Sequence, residues 1–68
     1  MKAAVRNQLS GKVVDIKMGT VMAQVTVQAG DALVSSVMTR DSLEETGLKV
    51  GDQVTALFKA VNVVIAKE

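Results

Sequence analysis

Arg6, Asn7 and Gln8 stand in a row where an apolar, strand-like segment begins, AVRNQLSGKVV from Ala4 to Val14. Arg6 brings a permanently charged, forked donor, and two amides follow it. A soluble strand can use such residues as its wet face; a binding protein can use them to hold something negative. Lys59 adds a second cation at the end of a later apolar run, and Thr39 and Ser42 set two hydroxyls three residues apart at a helix start. Backbone N–H groups in the first turn of a helix lack internal partners and attract negative charge. The chemistry these features share is the binding of an anion. Singly, Arg6 and Lys59 are also ordinary surface charges and Thr39 an ordinary cap. The combination acts only if the fold, or a neighbouring subunit, brings them together.

Other chemistries fare worse. The chain has neither histidine nor cysteine. That removes the usual general base, the usual nucleophile pairs and the commonest metal ligands. The carboxylates Asp15, Asp31, Asp41, Glu44, Glu45 and Asp52 fall at turns and on the helix, where solvation and helix capping account for them. No enzyme activity, catalytic cofactor or protein-ligated metal is expected. Nucleic-acid binding is expected to be absent too: Phe58 is the only aromatic residue and the net charge is only +1, against a need for stacking platforms in a basic groove.

The 68 residues imply one domain, spanning 1–68, with a small interior. Yet 49% of the residues are hydrophobic. Apolar surface in such excess is resolved most simply by burial between subunits. No apolar run reaches the roughly 18 residues of a bilayer span, so no membrane partner is expected. The start of the chain runs into polar strand-like sequence, without a signal peptide. These features predict a soluble, cytoplasmic protein. Met1 at one end and Lys67–Glu68 just after the last strand read as a free-standing chain.

The elements that must position the anion-binding groups are mostly strands. Thirteen valines, no proline and several alternating runs argue for β structure. The first strand is expected over Ala4–Lys17, with a phase slip and β-bulge at Ser10–Gly11. Lys17-Met18-Gly19 is a turn. Thr20–Gln28 alternates cleanly, with Val21, Ala23, Val25 and Val27 on one face. Ala29-Gly30-Asp31 turns the chain again, and Ala32–Met38 is a third strand, which gives an antiparallel meander. Thr39 caps a helix of about two turns that stops at Gly47, with Ser42 at its third position. Gln53–Lys59 and Val61–Lys67 are the last two strands. Val61, Val63, Val64 and Ile65 leave the fifth strand little polar face, so both its sides should be buried, one of them against another subunit. Three strands, a helix and two strands predict an all-β, five-stranded OB-like Greek-key barrel with one short helix between strands 3 and 4, an SH3-like barrel being the alternative. Lys59 then lies in the connection between strands 4 and 5, a usual ligand loop of OB folds.

Arg6-Asn7-Gln8-Leu9-x-Gly11-Lys12-Val13-Val14, the Asp41-Ser42-Leu43-Glu44-Glu45-x-Gly47 helix and Phe58-Lys59-Ala60-x-x-Val63 closely resemble the molbindins, the small stand-alone Mop proteins. The resemblance runs in register along essentially the whole chain. It implies an OB-like barrel, a homohexamer built as a trimer of dimers, and binding of molybdate or tungstate at subunit interfaces for storage or homeostasis. Carried over by position, Arg6 and Lys59 supply positive donors, Thr39 and Ser42 supply hydroxyls, and backbone groups at Ala4, Val5 and Ala60 complete the cage. Asn7 and the Met18-Gly19-Thr20 turn are the candidates for a second class of site, with Asn7 and Gln8 otherwise serving a subunit contact. Family members often carry serine at Ala4 and Ala60, so two hydroxyls are lost here. The Ala29–Asp31 loop is shorter than usual, and Arg40 replaces a usually apolar residue, adding positive charge at the helix start. The competing functions are a nucleic-acid-binding OB module and a purely structural oligomerisation domain.

Overall fold

The computed structural model describes residues 3–68. Met1 and Lys2, and with them the expectation built on the first residue, lie outside the described residues. Four strands form one antiparallel sheet: β1 Asn7–Met18, β2 Met22–Ala29, β3 Ala32–Thr39 and β4 Gln53–Phe58, with helix α1 Arg40–Thr46 between β3 and β4. Their order across the sheet is β3-β2-β1-β4. β2 is central because its alternation is cleanest. Ala23, Val25 and Val27 are buried on its inner face, joined by Val13 of β1 and by Leu43, which α1 lays over them. Ile16, Val34, Met38, Leu48 and Val54 pack around this centre.

The helix follows its capping signals. Thr39 has extended backbone and its Oγ1 accepts from the Ser42 N–H at 3.1 Å. At the other end Gly47 takes a φ of 66°, a left-handed conformation that costs glycine little, and its N–H returns to the carbonyls of Leu43 and Glu44.

Three expectations are corrected. The bulge lies at Val14, where the β1–β2 register shifts between Val13 and Asp15, and not at Ser10–Gly11. The odd-numbered inner face runs unbroken through Leu9 and Gly11 to Val13, which is fully buried. Gly11 is glycine because of close approach: a Cβ there would collide with the Gln28 carbonyl oxygen and stand 2.7 Å from Val27 Cγ1. Second, β2 begins at Met22. Thr20 and Val21 belong to the preceding turn, closed by the Gly19 N–H donating to the Met22 carbonyl at 2.8 Å, and Val21 is 68% exposed.

The third correction concerns the barrel. Residues Val61–Lys67 form no fifth strand. A 3₁₀ turn, Ala60–Asn62, follows β4, and residues 63–68 have no regular structure. The sheet has free edges at β3 and β4 with no strand between them among the described residues, so it is open, not a closed five-stranded barrel. Beyond the turn the tail has no ladder partner among the described residues. Val64 is consequently 90% exposed and Ile65 86%. Among the described residues five hydrophobic ones are buried against thirteen large ones exposed, so most of the large apolar side chains described lie outside the core.

Candidate functional site

The β1–β4 register gathers the first group of expected residues. Asn7 pairs with Phe58 as the last rung of the ladder, and Arg6 and Lys59 flank that rung, each just outside its strand. Both side chains are exposed. The one ion pair among the described residues is elsewhere, so neither cation is paired with a carboxylate there. Like charges near one another repel unless something neutralises them. Beside them, the N–H groups of Val5 and Ala60 have no intrachain backbone acceptor among the described residues. Ala4 is exposed just before them, and Asn7 is half-buried at the start of β1. Phe58 is half-buried in the ladder, a poor position for stacking a base.

The second group lies where β3 runs into α1. Thr39 Oγ1 donates to Ser42 Oγ at 2.9 Å while accepting from the Ser42 N–H. The pair that was to be an imperfect capping box is thus closed by two hydroxyls. The β1–β2 turn approaches the same place: the Arg40 N–H donates to the Val21 carbonyl at 2.7 Å, and Arg40 Nη1 reaches the Gly19 carbonyl at 3.4 Å. Met18, Gly19 and Thr20 therefore neighbour the helix start and are far from Asn7, with which they were grouped. Arg40 does not add free positive charge there, because its Nε donates to Glu44 Oε1 at 2.9 Å.

These two groups do not meet within one chain. Arg6 and Lys59 lie at the beginning of β1, whereas Met18 ends it, and Met22 pairs with Thr39 beside that end. Residues 7 to 18 at about 3.3 Å each amount to roughly 36 Å of strand before bending. The clusters also lie toward opposite edges of the sheet. An open groove of about 340 Å³ lined by Ser10, Gln53, Val54 and Thr55 holds none of the expected residues and no charge. No group of three or more metal-ligating side chains occurs among the described residues. Sequence reasoning gave Gln8 no part in this cluster, yet its side-chain amide donates to the Val5 carbonyl at 2.8 Å. The signal available was only its position two residues after Arg6.

The TOBE domain model matches residues 3–65. The chain belongs to the TOBE-domain family. Within it, the molbindin resemblance holds along the full length. Molybdenum-pterin-binding protein 2 of Clostridium pasteurianum is 44% identical over 66 residues, covering 96% of this molbindin and 97% of that protein. A solved molybdate-binding protein from Sporomusa ovata is 37% identical, with a TM-score of 0.91 over 98% of this chain and all of that one. The cytoplasmic molybdate-binding protein ModG, solved with molybdate bound, is 35% identical with a TM-score of 0.86; the match covers 94% of this molbindin and 46% of ModG. No helix among the described residues of this molbindin is long and apolar enough to cross a membrane.

Proposed function

We propose that this molbindin binds a tetrahedral dianion, molybdate or tungstate, at sites completed between copies of itself, and that it stores or buffers that oxyanion in the cytoplasm without catalysing a reaction. The observation that supports this reading is that Arg6 and Lys59 flank the last rung of the β1–β4 ladder, with N–H groups at Val5 and Ala60 that have no backbone acceptor and with no carboxylate paired to either cation among the described residues. A dianion supplies the missing charge and accepts every one of those donors. The names and bound molybdate of the relatives support the choice of ligand.

Sharing between copies follows from the distance between the clusters. Val5, Arg6, Lys59 and Ala60 from one chain meet Thr39 and Ser42 from another. Asn7 and the Met18–Thr20 turn, held apart in one chain, form the second class of site only across such a contact. The exposed tail supports the same assembly: Val61, Val64 and Ile65 are apolar, unpaired and facing the free edges of a second copy's sheet closes its barrel as a fifth strand. A homohexamer, arranged as a trimer of dimers, accommodates both contacts. The protein needs no catalytic cofactor, nucleic acid or membrane for this role.

Relatives are also named for a molybdenum pterin. A flat pterin ring calls for a stacking surface, and the only aromatic side chain, Phe58, is half-buried in β4, so the bare oxyanion is the better match. Co-expression tests the shared site. Assemblies of Arg6→Met chains alone, or of Ser42→Ala chains alone, should bind molybdate weakly. Randomly mixed assemblies should recover about a quarter of the sites at parental affinity, since one combination in four is intact at each interface. No recovery in mixed assemblies would place all the donors in one chain and defeat the reading. A single-stranded oligonucleotide or a metal-free pterin bound more tightly than molybdate would favour the competing functions.

A further inference from the structure

Arg6 stands outside the sheet. The β1–β4 ladder begins at Asn7, and among the described residues no backbone hydrogen bond outside the helices and strands holds Val5 or Arg6. One side chain does hold this segment: Gln8 Nε2 donates to the Val5 carbonyl at 2.8 Å. The bond spans residues i to i+3, the span at which a backbone N–H ordinarily closes a four-residue turn. The Gln8 backbone is committed to β1, opposite Leu57, so the side-chain amide takes over the closure. Arg6 is enclosed between the two ends of this link.

We infer that Gln8 is the positioning residue for Arg6: its amide fixes the Val5 carbonyl, and thereby holds the Arg6 guanidinium and the Val5 N–H in the orientation that receives the oxyanion. The role rests on the reading that Arg6 meets the oxyanion. An unanchored segment would have to be ordered at the moment of binding, and that ordering entropy would be taken from the affinity. Residue type matters in a definite way. Methionine has the same reach and no donor. Glutamate has the same reach, but its carboxylate only accepts, repels the Val5 carbonyl and sets a negative charge beside Arg6.

Molybdate titrations of the parent, Gln8→Met, Gln8→Glu, Arg6→Met and the Gln8→Met/Arg6→Met double variant test this, alongside ¹⁵N relaxation of the unliganded protein. Gln8→Met should bind molybdate about three- to tenfold more weakly, the worth of one neutral hydrogen bond, with an unchanged melting temperature because Gln8 is exposed. Amide order at Val5 and Arg6 should fall while that of β2 does not. Gln8→Glu should lose more. In the Arg6→Met background Gln8→Met should cost clearly less than it does in the parent, since only the Val5 N–H remains to be aimed. If Gln8→Met binds like the parent while Arg6→Met is weakened, or if the two losses simply add, the positioning role is overturned. If Arg6→Met itself binds like the parent, the oxyanion site falls, and the role of Gln8 falls with it.

Discussion

Removing either cation of the Arg6/Lys59 pair should move stability and binding in opposite directions. Lys59→Met keeps the aliphatic stem and deletes the charge. In the unliganded protein Lys59 and Arg6 flank the last rung of the β1–β4 ladder, with no carboxylate paired to either among the described residues. A like-charge pair at neighbouring strand ends is unfavourable by at most about 0.2–1 kcal/mol, so its removal should raise the apo melting temperature by roughly 1–8 °C for a domain this small. The gain should shrink in high salt, which screens exposed charges beyond about 3 Å at 1 M. Binding should respond the other way. A hydrogen bond to a charged group contributes about 1.5–3 kcal/mol, so molybdate affinity should drop roughly ten- to 150-fold. Arg6→Met should behave alike. Differential scanning calorimetry without ligand at low and high salt, followed by titration, reads both signs. A lower apo melting temperature with unchanged affinity would mean that the two cations are structural and that the site lies elsewhere.

Ile65→Asp should dissociate the proposed assembly: burial of such a side chain contributes about 1.5–3 kcal/mol and counts twice in a symmetric pair, so sedimentation should show association weakened roughly a hundredfold or more, and unchanged association would remove the tail from the proposed interface. Gly11→Ala should destabilise the fold by about 1–3 kcal/mol in urea titration, because the added methyl meets the β2 backbone, and a parental midpoint would contradict the close approach described for it. Thr39→Val should cost about 1 kcal/mol of stability by removing the cap on the Ser42 N–H, whereas Thr39→Ser should melt like the parent; equal melting of all three would deny the cap.

Most of the sheet and the helix are legible in the sequence because their signals are local. The alternation of Ala23, Val25 and Val27 requires one buried face, and Thr39 and Gly47 mark the helix ends by side chain and backbone freedom. The bulge was misplaced because a glycine has two uses. Gly11 relieves a collision with β2, a neighbour seventeen residues away, while the true slip falls at Val14, whose side chain carries no mark of it. The last strand was misread for a related reason. Val61, Val64 and Ile65 carry the apolar pattern of a doubly buried strand, but a pattern supplies no ladder partner, and in this chain they are exposed. Of the candidate site, Arg6 and Lys59 are named from type and spacing, and the ladder ends on the pair that they flank. That Thr39 and Ser42 stand at the far end of β1 follows only from the strand register, and the Gln8 link follows only from side-chain geometry.

The central claim is that a cage of donors receives a fully deprotonated tetrahedral dianion. No carboxylate belongs to the set, and the hydroxyl oxygens of Thr39 and Ser42 each already accept one bond within the first turn of α1, so at most one lone pair on each is left for the proton of monohydrogen phosphate. Calorimetric titration at neutral pH with molybdate and then with phosphate measures this directly. Molybdate should bind saturably, and phosphate should bind about five- to 150-fold more weakly, the equivalent of about 1–3 kcal/mol for one buried O–H without a partner. Equal affinities, or no heat with molybdate, would contradict the account.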